Sequence, residues 1–263
     1  MHKSNDFIIK PLQIIPKALK ELSRSPKELF FIGDSHLLAA PIKIAIVGTR
    51  SPNPYTKHFC AMLASAIAKA GGVVVSGGAL GVDIIAHTNA LPRTIMFSPS
   101  SLDIIYPKSN ARIIAQIAKD GLILSEYKCG YQPFAHSFLE RNRLVVGLSD
   151  IVIIPQADLM SGSMQSARLS LESKKPLFVL PHRMNESLGT QSLLAKNQAR
   201  AIYDIKDFVN EIFGTDSVTN DEVLEFCKNA PSYEEAISRF GLKILEYEME
   251  GKIMRDNGIV RIC

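Results

Sequence analysis

The sequence predicts a doubly wound, mostly parallel α/β sheet followed by a small C-terminal winged-helix-like domain. Three observations carry that reading. First, the segments Lys43–Val47, Val73–Val75, Thr94–Phe97, Leu122–Leu124, Ile151–Ile154 and Leu177–Leu180 are rich in Val, Ile and Leu at consecutive positions. A strand that is apolar on both faces must be covered on both, as parallel strands between helix layers are. Second, Lys57–Lys69, Val82–Ala90, Asn110–Lys119 and Ser163–Ser173 read as helices between them, so strand and helix alternate. Third, the pattern changes beyond residue 220.

In chain order, Ile15–Leu22 and Pro26–Phe31 form a helical or irregular lead-in with Gly33 as a stop. Residues 1–40 are therefore expected to pack on a core domain of 41–214. Asp207–Phe213 closes that domain, and the polar stretch Gly214–Asn220 is a linker. The tail, 221–263, reads as three helices: Asp221–Lys228, Ser232–Phe240 with Gly241 as C-cap, and Lys243–Glu250 with Gly251 as C-cap. Lys252–Met254, the turn Asp256-Asn257-Gly258 and Ile259–Ile262 complete it as a hairpin.

Composition excludes several classes. With 263 residues, 46% hydrophobic and 21% charged, the chain is globular and large enough for a core without staples. Its four cysteines are scattered and form no CxxC, which removes zinc-ribbon and thioredoxin readings and suggests a reducing compartment. The N-terminus lacks the apolar core of a secretory signal, and no stretch reaches 18 apolar residues, so the expected place is the cytoplasm, without membrane insertion. The net charge of +4 is uneven. Residues 216–263 hold six basic and ten acidic side chains, leaving 24 and 16, a balance of +8, in residues 1–215. The two parts are suited to different partners, although +8 over that length is also an ordinary soluble surface.

Ligands of open α/β sheets bind beyond the carboxyl ends of the strands. Here those ends read Gly48-Thr49-Arg50, Ser76-Gly77-Gly78-Ala79-Leu80-Gly81, Tyr106-Pro107-Lys108-Ser109-Asn110, Ser125-Glu126 and Ser161-Gly162-Ser163. Small residues before a helix leave backbone N–H groups free, and the helix dipole adds partial positive charge, so such loops suit phosphate. Arg50 and Lys108 bring full charges to the same rim. A single Gly-rich turn can be no more than a tight βα turn; several agreeing with two cations point to phosphate. GTRSPNP lacks the later glycines of GxGxxG, and its prolines argue against an immediate helix, which disfavours a dinucleotide.

Phe138-Leu139-Glu140-Arg141-Asn142-Arg143 opens a further helix. Its arginines can pair with phosphates and its Phe138 can stack on a base. One of the two arginines is expected to be held instead by a carboxylate, Glu126 or Asp83. Asp83 and His87 share a helix face and are read as buttresses of the glycine loop rather than an acid/base pair. Ser76, Ser125 and Ser163 show no nucleophile elbow, and no HExxH, metal-ligand set or Walker lysine occurs. The expectation is a binder, not an enzyme, without cofactor or metal.

These motifs, with Leu124-Ser125-Glu126, Ser161-Gly162-Ser163-Met164 and Ser187-Leu188-Gly189-Thr190, resemble in order and spacing the DNA-processing protein A (DprA, or Smf) family, most of all its epsilonproteobacterial, Helicobacter-type branch. The resemblance implies a cytoplasmic homodimer with an extended Rossmann domain and a winged-helix-like tail. Such proteins bind single-stranded DNA and load the RecA recombinase onto it in natural transformation. The implied pocket comprises Arg50, the loop 76–81, Lys108 and Phe138–Arg143. The chain departs from the family at Leu80, where an arginine is usual, at Leu139, where proline is usual, and at His182, where a glycine is usual. Phe134-Ala135-His136 also lacks the lysine of the Helicobacter type. Lys128 and His136 are the substitutes the sequence offers for the absent cations.

A different class, a nucleotide phosphoribohydrolase of the lysine-decarboxylase-like (LOG) type, shares a related core. Its PGGxGTxxE signature would fall near Pro155–Ser166, and Ser166 stands where its catalytic glutamate would be. In the tail, Glu246, Glu248 and Glu250 on the third helix would repel duplex phosphates, so that domain is expected to contact protein.

Overall fold

A computed structural model describes residues 7–214 and 222–262. Contacts divide the chain into two compact units, Met1–Ile212 and Phe213–Cys263. The expected linker lies, apart from Gly214, outside the described residues.

Unit one begins with β1 (Lys10–Pro11), α1 (Lys17–Lys20) and β2 (Phe30–Gly33), then β3 (Lys43–Ile46), α2 (Pro54–Lys69), β4 (Val73–Ser76), α3 (Val82–Ala90) and β5 (Thr94–Phe97). It continues with α4 (Ala111–Asp120), β6 (Leu122–Ser125), α5 (Ala135–Leu148), β7 (Ile151–Ile154), α6 (Gly162–Glu172), β8 (Leu177–Val179), α7 (Leu188–Ala195), β9 (Arg200–Ala201) and α8 (Ile205–Phe213). The sheet runs β1-β2-β6-β5-β4-β3-β7-β8-β9. β3 to β9 are parallel to one another. The order reverses at β3, whose successors go to opposite sides, so the crevice between β3 and β7 is the place where a ligand fits.

The six expected strands are all present, each buried on both faces. Alternate residues feed two cores. Ala45, Val73, Val75, Ile95 and Phe97 pack with Leu144, Val145 and Leu148 of α5. Met96 and Ile123 pack with Ile114 and Ile117 of α4. The lead-in differs from the expectation. Phe30–Gly33 is not irregular but a strand, antiparallel to β6, and Lys10–Pro11 extends the sheet beyond it. The expectation about prolines is also corrected. Pro54 opens α2 at its first turn, where the missing N–H costs nothing, and Asn53 Oδ1 accepts from Thr56 N at 2.8 Å.

Unit two holds α9 (Glu222–Cys227), α10 (Tyr233–Phe240), α11 (Lys243–Met249) and the hairpin β10 (Ile253–Asp256) and β11 (Ile259–Ile262). Val223, Cys227, Ala236, Ile244, Ile253 and Val260 form its core. Ser232 and Glu235 cap α10 reciprocally. Asn257 and Gly258 both have positive φ, as a two-residue hairpin turn requires. Among the described residues no helix is long and apolar enough to cross a membrane.

Candidate nucleic-acid interface

The carboxyl ends of β3 and β4 are clasped together. Thr49 N donates to Gln156 O beyond β7 at 3.0 Å, and Val82 N donates to Thr49 O at 3.1 Å. The approach is so close that a Cβ at Gly81 would lie 2.4 Å from Thr49 O, and Gly81 has φ +77°, open to glycine without strain.

Behind this clasp lies a buried charged centre. Arg141 is 2% exposed, and its guanidinium is 3.7 Å from Asp83 Oδ2. Asp83 also accepts from Ala79 N at 3.4 Å. Burial pushes the Asp83 carboxyl up, against the pull of Arg141 and of the amides of Ala79, Gly48 and Gly77. Burial lowers the Arg141 pKa, and the nearby Arg50 charge adds to that. His87 is fully buried, and Nδ1 lies 2.7 Å from Thr94 Oγ1. That hydroxyl donates to Val74 O, so it accepts from His87, which fixes the neutral Nδ1–H tautomer. Burial, reinforced by Arg141, pushes the imidazole down to about 3. Asp83 and His87 do not pair with each other. Asp83 steadies the glycine loop and His87 ties α3 to β5.

In front of the clasp is an open cleft of about 320 Å³ at the strand-order reversal. Gly48, Thr49, Arg50, Asp83, Phe138, Arg141, Asn142, Gly162 and Ser163 line it. Arg50 is exposed, and its guanidinium lies over the Phe138 ring at 5.2 Å. Phe138 meets Tyr106 edge-on at 5.6 Å. Gly162 and Ser163 are the first residues of the 11-residue α6, so their amides and the helix dipole face the cleft mouth. Arg50, a helix N-terminus, a half-buried ring and a buried guanidinium thus converge on one concavity. That set suits a phosphate with a base stacked beside it.

Other expected ligands stand elsewhere, and the expectation for them is corrected. Ser76 is fully buried, and its hydroxyl donates to Ile46 O at 2.6 Å. Gly77 and Gly78 are buried beneath the cleft floor, and Gly81 serves the clasp. Asn110 donates to Gly78 O and Ala79 O, so it braces the loop from behind. Ser161 caps α6 outside the cleft. Lys108 is exposed but lines, with Tyr106, a neighbouring apolar hollow of about 670 Å³. Arg143 is held by Glu126 at 2.6 Å, away from the cleft. Both arginines of the segment are therefore held by carboxylates, not one. Lys128 pairs with Glu28, and His136 meets the Tyr131 hydroxyl; neither lines the cleft. Among the described residues Arg50 and Lys108 have no carboxylate partner.

Leu139 of the expected segment lines the cleft as well, and so does Ser166, 0% exposed, which was not anticipated as a binding residue. One signal for the burial of Arg141 was present: Ser137, Arg141, Leu144, Val145 and Leu148 share the buried face of α5 at helical spacing. Arg143 falls off that stripe. Among the described residues no three His, Cys, Asp or Glu cluster as a metal site would need.

The family model for DNA recombination-mediator protein A matches residues 7–213, the whole of the sheet unit up to the end of α8. The chain belongs to this family. It is 34% identical over 201 residues to the DNA processing protein DprA of Bacillus subtilis, covering 75% of this chain and 68% of that protein. It is 36% identical over 187 residues to protein Smf of Synechocystis, 68% of this chain and 47% of the relative, so the match spans about half of that protein's length. Among solved structures, DNA processing protein A of Helicobacter pylori superposes with a TM-score of 0.78 at 57% identity, covering 79% of this chain and 96% of that one; it was solved for its single-stranded DNA binding mode. DprA of Streptococcus pneumoniae superposes with a TM-score of 0.72 at 31% identity, covering 79% and 75%.

Proposed function

We infer that this chain binds single-stranded DNA at the β3/β7 cleft and passes it to a RecA-type recombinase during transformation and recombination. The observation that carries the reading is the Arg50 guanidinium: exposed, without a carboxylate partner among the described residues, and seated over Phe138 beside the α6 N-terminus. A strand placed there meets a cation, free amides and an aromatic face together, the combination that holds single strands with little sequence preference. The 57% identity to a Helicobacter protein studied for single-stranded DNA binding supports it. Phosphate contacts fall to Arg50, Thr49, Gly48, Asn142, Gly162 and Ser163, base stacking to Phe138, with Lys108 further along the strand. Asp83, His87, Asn110 and Glu126 support the pocket.

On this reading residues 1–40 and 41–214 make one DNA-binding body, 221–263 is a protein-contact module with acidic Glu246, Glu248 and Glu250, and the protein works as a cytoplasmic homodimer. The cleft is a binding site rather than a reaction centre. A titration of oligo-dT against a matched duplex at two salt concentrations tests it. Preferential single-strand binding that weakens with salt is expected; equal affinity for the duplex, or no binding, refutes it. Faster nucleation of recombinase filaments on the strand in the protein's presence checks the loading step.

A further inference from the structure

The loop between β6 and α5 carries an aromatic ladder that the cleft does not use. Tyr127 and Tyr131 are stacked face to face, with centroids 3.9 Å apart and planes within 2°. Tyr131 meets Phe134 edge-on at 5.7 Å, and Phe134 lies parallel to His136 at 5.7 Å. Phe134 is 52% exposed, so its ring is accessible to a ligand. The loop is also fixed. Ser101 N and Oγ both donate to Tyr131 O at 3.1 Å, and Gly130 N donates to the Asp103 carboxylate. The ladder is therefore a rigid surface, pinned to the same loop that carries Tyr106.

Its two ends decide its use. Phe134 precedes Ala135, which lines the Arg50–Phe138 cleft. Tyr127 lines a second cleft of about 490 Å³ that holds Arg24, Lys27, Lys128 and Arg143. The carboxylates in that cleft are each matched: Glu28 with Lys128, Glu140 with Arg24, Glu126 with Arg143. Lys27 is exposed, with no carboxylate partner among the described residues. The acidic groups of that cleft are thus neutralised, and Lys27 is left over for a phosphate.

We propose that the ladder is a second base-stacking platform, on which single-stranded DNA leaving the Arg50–Phe138 cleft runs over Phe134 and Tyr131 toward the cationic cleft beside Tyr127. This rests on the strand-binding reading of the first cleft and adds a direction and a length to it. Stacked bases need a π-face and not a particular hydrogen bond, so the platform accepts any sequence. The Tyr127–Tyr131 stack is closed to insertion, so a base stacks on the exposed ring of Phe134, and the strand then passes the tyrosines toward the cationic cleft.

The test compares Phe134→Leu, Phe134→Trp and Arg50→Ala in the full chain, with oligo-dT of about six and about fifteen nucleotides, a range typical of single-strand sites. Phe134→Leu keeps the apolar volume and removes the ring. It should weaken the long oligonucleotide about tenfold and leave the short one unchanged, while Phe134→Trp retains wild-type binding of both. A 2-aminopurine placed beyond the short footprint should lose its stacking quench in Phe134→Leu alone. The proposal is overturned if Phe134→Leu binds both lengths like wild type, or weakens both equally, which would place Phe134 in the first cleft. If Arg50→Ala also leaves both affinities unchanged, the first cleft itself is refuted; if Arg50→Ala weakens both and Phe134→Leu neither, only the ladder is.

Discussion

The guanidinium of Arg141 fills the space that a side chain at Gly77 would need: its Nη1 lies 1.0 Å from the position of a Cβ there. The glycine loop and the FLERNR helix are thus fitted to each other across the sheet, and Asp83 receives the charge from the other side at 3.7 Å. Gly77→Ala should expel the guanidinium and break a buried ion pair, at a cost of about 3–5 kcal/mol. For a domain of this size that lowers the melting temperature by roughly 10 °C, read by circular dichroism. In an Arg141→Met background the same alanine should cost far less, because the two changes share one cause.

His87 makes stability pH-dependent. Its folded-state pKa is pushed down from the ordinary 6.5 to about 3. Between those values the unfolded chain binds the extra proton, so stability is full above pH 6.5 and falls as the pH drops toward 3. The loss is of the order of several kcal/mol. Urea midpoints at neutral pH and near pH 4 should differ more for the wild type than for His87→Gln, which keeps a donor for Thr94 and has no proton to gain. Equal differences would show that other groups set the acid limb.

Arg50 and Lys108 look alike in the sequence but should behave differently. Arg50→Ala removes the cation over Phe138 and should weaken binding of every single strand, with the slope of log K against log salt reduced by about 0.7. Lys108→Ala, outside the cleft, should have a smaller effect at low salt. Phe138→Leu removes the ring that Arg50 covers and should cost about 1–3 kcal/mol with little change in slope. Filter-binding or anisotropy titrations at several salt concentrations separate the three.

Leu80 is 44% exposed in the loop that clasps the cleft. Leu80→Arg adds a cation there without displacing core. Strand affinity at low salt should rise several-fold and the salt slope steepen by about one phosphate contact. An unchanged slope would mean that this position lies off the strand's path.

What the sequence determined by itself is the periodic part. Six doubly apolar runs fix six parallel strands, because a strand buried on both faces leaves no polar alternative. Asn257-Gly258 fixes a hairpin turn, because both positions need positive φ. The outer strands Lys10–Pro11, Phe30–Gly33 and Arg200–Ala201 carried no such signal: two of them are only two residues long, and none is buried throughout. The cleft was legible as a set of loops but not as a division of labour. Helical spacing marked Arg141 for burial, but only the crossing of α5 over the sheet sets Arg141 against Asp83 and Arg143 against Glu126, while Arg50 has no carboxylate partner among the described residues. Pairing between residues tens of positions apart depends on where two elements meet in space, and no local spacing records that.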